Sequence, residues 1–199
     1  MVRLRDLDLD HSLAEPERKA EFVSPMFALI APRYDDFTRL FSFGMDTGWK
    51  RALVAGSLAS RPDPRQVVDL GCGTGDLALA VAAAAPGARI TGVDASREML
   101  AFAKVRALAA GAEGRVAFEL GDFGRLNVAT GSADLVTAGY AFRNGPPLDV
   151  ALREVARITR PGGVLAVLDF YRPEIAMWRR VFLAYLRAAG NVVGWWWHR

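Results

Sequence analysis

Cysteine occurs once and histidine twice in this chain of 199 residues. The lone Cys72 leaves no partner for an internal disulfide and fits a reducing, cytoplasmic setting. His11 and His198 stand near the two ends, so a histidine base within the fold is not expected. No apolar run approaches the ~20 residues of a membrane span. Residues 3–10 are charged and do not read as a secretory signal. Neither sign of charge dominates: 25 Lys and Arg stand against 22 Asp and Glu, which is not by itself a nucleic-acid signature. Internal repeats, low-complexity linkers and metal-ligand clusters are also missing, so no metal is expected. What remains is 52% hydrophobic and 24% charged, a globular composition long enough for one domain with a full core.

Glycine is where the sequence is distinctive. Gln66 to Leu70 reads as a short buried strand, and Gly71-Cys72-Gly73-Thr74-Gly75-Asp76 follows it into an alanine-rich helix over 76–85. Only glycine lets a ligand approach a backbone this closely. The spacing is Gly-x-Gly-x-Gly, and Asp76 takes the place of a dinucleotide fingerprint's third glycine. Asp69 and Asp76 would repel a pyrophosphate. They suit a ligand carrying an ammonium and a sulfonium, which is S-adenosylmethionine. The plain alternative is a strand-turn-helix whose glycines serve tightness alone. Cys72 reads as a small packing residue.

Residues 1–14 read as a loose, charged arm. Short helices are expected over 15–23 and from Ser24-Pro25 to Pro32. The aromatic stretch over 33–44 is either a flap on the core or a lid over the ligand. Asp46 is expected to cap a helix through Trp49, Leu53, Val54 and Leu58. Residues 1–60 therefore read as a helical lid or cap, and 61–199 as the cofactor-binding domain. From 66 onward strands alternate with helices. Further strands are expected over 89–94, 115–120, 133–138 and 164–170, with helices over 96–110, capped by Ser96, and 147–158. This is an α/β pattern: a Rossmann-like parallel sheet of order 3-2-1-4-5 with helices on both faces.

In such sheets ligands bind beyond the carboxyl ends of the strands. Asp94 ends the second strand, where a carboxylate accepts both hydroxyls of a ribose. Asp122 follows the third, placed to accept from an adenine amino group, with Phe123 beside it to stack on the ring. Thr74 and the backbone of Gly71, Gly73 and Gly75 would line the amino-acid end. After the fourth strand, Gly139-Tyr140-Ala141-Phe142-Arg143-Asn144 puts a guanidinium and an amide where a substrate would meet the methyl group. For Arg143 a structural salt bridge is the competing assignment.

Several stretches together resemble the quinone-pathway C-methyltransferases of menaquinone and ubiquinone biosynthesis. They are Tyr34-Asp35, Ser42-Phe43-Gly44-Met45-Asp46 with Trp49, Asp69 to Asp76, Tyr140-Ala141-Phe142-Arg143-Asn144, and Arg157-Ile158-Thr159-Arg160-Pro161-Gly162-Gly163. The resemblance implies a class I methyltransferase fold using S-adenosylmethionine. It implies cofactor contacts from Thr74, Asp94, Asp122, Phe123 and Gly139, with Tyr34 closing over the site. The departures are Thr38 where the family usually has Asn, Phe142 where it has a longer aliphatic residue, and length. The family's two final antiparallel strands are expected to lie beyond this chain, which would leave residues 164–170 as an open edge or one covered by Trp195–Trp197 folding back.

The implied reaction transfers a methyl group to a ring carbon of a prenylated quinol. Arg143, a poor base, is expected to stabilise the quinolate oxygen, with Asn144 and Tyr140 as further catalytic candidates. Asp46 is a weaker candidate for a carboxylate near the substrate. Residues 176–189 carry Trp178, Val181, Phe182, Tyr185 and Leu186 on one side, fit to cover a prenyl tail, to rest on the inner membrane surface as a peripheral contact, or to pack on the sheet. A homodimer through the open edge is a further expectation. Nucleic acid is not an expected partner, because no Asn/Asp-Pro-Pro-aromatic stretch follows the fourth strand. Two other readings are a methyltransferase with another aromatic or lipid acceptor, and a cofactor-binding domain without activity.

Overall fold

The computed structural model describes residues 38–39, 42–170 and 174–197. The helices expected before residue 33, and Tyr34, lie outside these residues. The element order is α1 (Asp46–Ser60), β1 (Gln66–Leu70), α2 (Asp76–Ala84), β2 (Arg89–Asp94), α3 (Arg97–Ala109), β3 (Val116–Leu120), β4 (Ala133–Gly139), a 3-10 turn (Phe142–Asn144), α4 (Leu148–Ile158), β5 (Thr159–Leu168) and α5 (Ala176–Trp197).

The five strands form one sheet in the order β3-β2-β1-β4-β5, every pair parallel, as expected. β1 sits at its centre and is apolar on both faces because helices cover both. Val67, Ile90 and Leu135 turn to one side, where they pack with Leu77, Val81 and Ala103 of α2 and α3 and Val54 of α1. Val68, Leu70, Val136 and Ala138 turn to the other, against Ala151, Val155 and Ile158 of α4. β1 and β4 adjoin β2 and β5 respectively, so the switch point lies between β1 and β4, and the carboxyl edge there is the natural cleft.

Three expectations are corrected. Asp46 does not cap α1: it lies inside the first turn, buried, and forms an ion pair with Lys50 at 2.7 Å. β5 begins at Thr159 rather than Val164. Thr159 pairs with Ala133 and Val164 with Leu135, so Arg160 to Gly163 bulge out of the ladder, with Gly162 at φ +77°. The Pro-Gly-Gly signal therefore marks a bulge inside a strand, which ends at Leu168, so Asp169 and Phe170 lie beyond it. α5 runs on through Gly190 and Gly194 to Trp197. A single glycine costs a helix only about 1 kcal/mol, too little to end it. Trp195–Trp197 is thus the last turn of α5. Among the described residues no strand pairs with the outer edge of β5.

Candidate active site

The glycine loop is shaped by close approach. A Cβ on Gly71 would stand 2.6 Å from that of Ala141, so only glycine lets the segment after β4 close over the loop. Gly73 has φ +53° with open space beside its Cα, and its N–H donates to Asp94 Oδ2 at 2.8 Å. Asp94 Oδ1 accepts from the Ser96 N–H at 2.8 Å, while Ser96 caps α3 by accepting from Met99 N–H. The carboxylate at the end of β2 is thus tied to the loop and to the next helix at once. Burial raises its pKa against these backbone donors.

Asp69 is 1% exposed on β1. Its Oδ1 accepts from the Thr137 hydroxyl on β4 at 2.7 Å, and its Oδ2 has no hydrogen-bond partner among the described residues. Burial drives its pKa up to about 7, and the Thr137 hydroxyl and the nearby Ala78 backbone N–H only partly oppose this. Asp76 behaves differently. One oxygen meets Lys50 Nζ at 2.9 Å and the other meets Arg106, which hold its pKa down against burial. Asp76 is therefore already neutralised, and of the two loop carboxylates only Asp69 retains an empty oxygen. A narrow cleft is lined by Asp69, Gly71, Gly73, Thr74, Gly139 and Tyr140, together with Thr38, Lys50, Cys72, Asp76 and Leu77. Thr74 Oγ1 and its carbonyl accept from Arg106. Gly75, at φ +83°, is the N-cap of α2. Burial pushes the Cys72 thiol up, in keeping with a packing residue.

Tyr140 occupies a left-handed backbone conformation, φ +57°, which a bulky side chain rarely adopts. Its N–H donates to Leu168 O at 2.7 Å, and its ring stacks on Phe170 at 5.2 Å. The Arg143 guanidinium lies 5.5 Å from the Tyr140 ring and 5.4 Å from Phe170, and 3.8 Å from Asp169. Its side chain remains 47% exposed, beside Tyr140, which lines the cleft. Asn144 is half-buried in the 3-10 turn. Asp122 is exposed, with Oδ1 accepting from Gly124 N–H at 2.7 Å. Phe123 is buried in the core, edge-on to Phe142 and beneath Gly145. No cluster of three or more His, Cys, Asp or Glu suited to a metal occurs among the described residues.

This arrangement of strand ends invites comparison with known proteins. The profile of the ubiE/COQ5 methyltransferase family matches residues 15–194. The chain belongs to this family. It is 42% identical over 162 residues to a demethylmenaquinone methyltransferase of Thermus thermophilus, which covers 81% of this chain and 72% of that protein. It is 33% identical over 177 residues to the ubiquinone/menaquinone biosynthesis C-methyltransferase UbiE of Geotalea daltonii, covering 88% and 74%. A methyltransferase from Geobacter sulfurreducens, solved with S-adenosyl-L-homocysteine, is 32% identical with a TM-score of 0.50 over 58% of this chain and 46% of that one.

In this ubiE/COQ5 family member Asp69 and Asp94 lie at the carboxyl ends of β1 and β2, Thr74 in the glycine loop and Arg143 in the turn after β4. Lys50, Arg106 and Asp169 stand beside them and are not singled out by the sequence. Lys50 carries a local signal, four residues after Asp46 on one helix. Its second partner, Asp76, is 26 residues away and only folding brings the two together.

Proposed function

We propose that this chain catalyses S-adenosylmethionine-dependent C-methylation of a prenylated quinol. One observation carries the cofactor assignment: a fully buried carboxylate, Asp69, keeps one oxygen empty beside a glycine loop tied to Asp94. An ammonium is the ligand group that such an oxygen lacks. Open space at Gly73 admits the ligand against the backbone. Relatives named demethylmenaquinone methyltransferase support a demethylated quinone as the acceptor class, and the reading takes it in its quinol form.

In this reading Asp69 and Thr74 hold the amino-acid end, Gly71, Gly73, Gly75 and Gly139 shape its path, and Asp94 accepts from the ribose. Asp122 and Phe123 border the adenine, and residues 1–60, with Tyr34, form the cap. The cofactor supplies an electrophilic methyl group on sulfur. Arg143 remains cationic and holds the quinol oxygen as it loses its proton to water, with Tyr140 and Phe170 as an aromatic floor that fixes the guanidinium. Asn144 lies on the same turn to orient the ring. An apolar groove of about 710 Å³ along α5, lined by Trp178, Val181, Phe182 and Tyr185, continues this floor through the Phe170–Phe182 contact at 6.3 Å. It suits the isoprenoid tail. No described helix is long and apolar enough to cross a membrane, so a peripheral contact through this groove is the membrane arrangement proposed.

The test is to incubate the chain with methyl-labelled cofactor and a short-tailed demethylmenaquinol, then analyse the product by mass spectrometry. Label on the ring carbon is expected. Cofactor binding without transfer to any quinol would instead support a binding domain or a different acceptor.

A further inference from the structure

The amino-acid end of S-adenosylmethionine is a zwitterion, and a cleft that offers only a carboxylate matches half of it. Asp69 provides the anion. Among the described residues that line the cleft, Lys50 provides the cation. We propose that Lys50 receives the cofactor's α-carboxylate, so that Lys50 and Asp69 together read the zwitterion. The proposal rests on the cofactor reading above.

Lys50 is carried into the cleft by α1, whose packing on β5 and α2 fixes its approach. Its side chain is 15% exposed, and Nζ lies 2.7 Å from Asp46 Oδ2 and 2.9 Å from Asp76 Oδ2. A lysine ammonium has three N–H groups, so these two acceptors leave a third for a ligand. Burial alone would lower the lysine pKa, but the Asp46 hydrogen bond and the Asp76 charge outweigh it and hold the group charged. Arg106 occupies the other oxygen of Asp76. Asp76 thus divides its charge between Lys50 and Arg106. The cluster of Lys50, Arg106, Asp46 and Asp76 is neutral as a whole, so an arriving zwitterion meets local charges of both signs without a net field against it. A charge-assisted bond of this kind is short, directional and about twice as strong as a neutral one.

The competing role for Lys50 is that of a brace between α1 and the start of α2. Calorimetry with two ligands separates the roles. S-adenosylhomocysteine carries the amino-acid end, whereas 5′-methylthioadenosine shares the adenosine and sulfur and lacks it. Lys50→Met should weaken S-adenosylhomocysteine binding by ~10–100-fold, the range of one lost hydrogen bond to a charged group. Its affinity for 5′-methylthioadenosine should stay at the parent value, which also shows that the variant folds. Lys50→Arg should recover most of the loss. Equal weakening of both ligands would assign Lys50 to bracing and overturn the proposal, as would unchanged binding of both. A parent chain that binds 5′-methylthioadenosine but gains nothing from the amino-acid end overturns the proposal alone. A parent chain that binds neither ligand overturns the cofactor reading and the proposal with it.

Discussion

Asp69 and Asp134 sit on neighbouring strands, each 1% exposed, and their surroundings are opposite. Asp134 lies near the start of β4. Its Oδ1 pairs with Arg61 at 2.8 Å and Arg160 at 2.5 Å, and its Oδ2 accepts from the N–H groups of Arg65 and Gln66, both at 2.8 Å. Both of its oxygens have partners, and together these partners clamp the entry to β1 and the bulge of β5. Asp69 lies towards the far end of β1, with one hydroxyl donor and one empty oxygen. A buried carboxylate without its full set of donors destabilises the fold, and in the proposed function the cofactor's ammonium supplies the missing donor. The amino edge of the sheet is closed by paired charges, while the carboxyl edge carries the proposed ligand site.

That contrast can be broken by substitution. The largest effect is expected at Asp94. Asp94→Ala removes an acceptor for two ribose hydroxyls, each bond worth ~1.5–3 kcal/mol, so calorimetry should show most cofactor affinity gone. Affinity unchanged from the parent would remove Asp94 from the site. Asp134→Ala should leave affinity intact and lower unfolding free energy by about 3 kcal/mol in urea titration, since it removes the partner of two backbone N–H groups and two arginines. The figure sits at the low end of the range for a broken buried pair, because Arg61 and Arg160 both reach water. Arg143→Ala should cut turnover by ~10²-fold, the loss of one oxyanion-type donor, with cofactor affinity unchanged. Turnover within about threefold of the parent would reduce Arg143 to its ion pair with Asp169.

What could be read from the sequence divides along the same line. The strand, glycine loop and helix from Gln66 to Ala84 are set by neighbouring residues: β-branched side chains, glycines and alanines in a run. Asp94 and the Ser96 cap are equally local. The clamp ties Asp134 to Arg61, Arg65 and Gln66, 68–73 positions away, and to Arg160 on the neighbouring strand. The Lys50–Asp76 and Arg106–Thr74 links span 26 and 32. No periodicity signals such pairs, because they exist only once the sheet has brought its strand ends together. The β5 bulge was hidden for a related reason: Pro161-Gly162-Gly163 breaks a strand in isolation, and here β4 holds residues on both sides of it.

In the proposed site the empty oxygen of Asp69 receives a cationic group, and Asp69→Asn measured across pH tests this most directly. In the parent, the folded-state pKa of about 7 exceeds the ordinary 3.8, so this group favours folding below pH ~4 and loses that contribution as pH rises towards 7. Bound ammonium favours the ionised form, so S-adenosylhomocysteine affinity should rise with pH up to about 7. Asp69→Asn should abolish this rise, weaken binding at pH 8 by ~10–100-fold, and leave the chain at least as stable there as the parent. A variant that binds as tightly as the parent with the same pH profile, or that loses stability as Asp134→Ala does, would contradict the account.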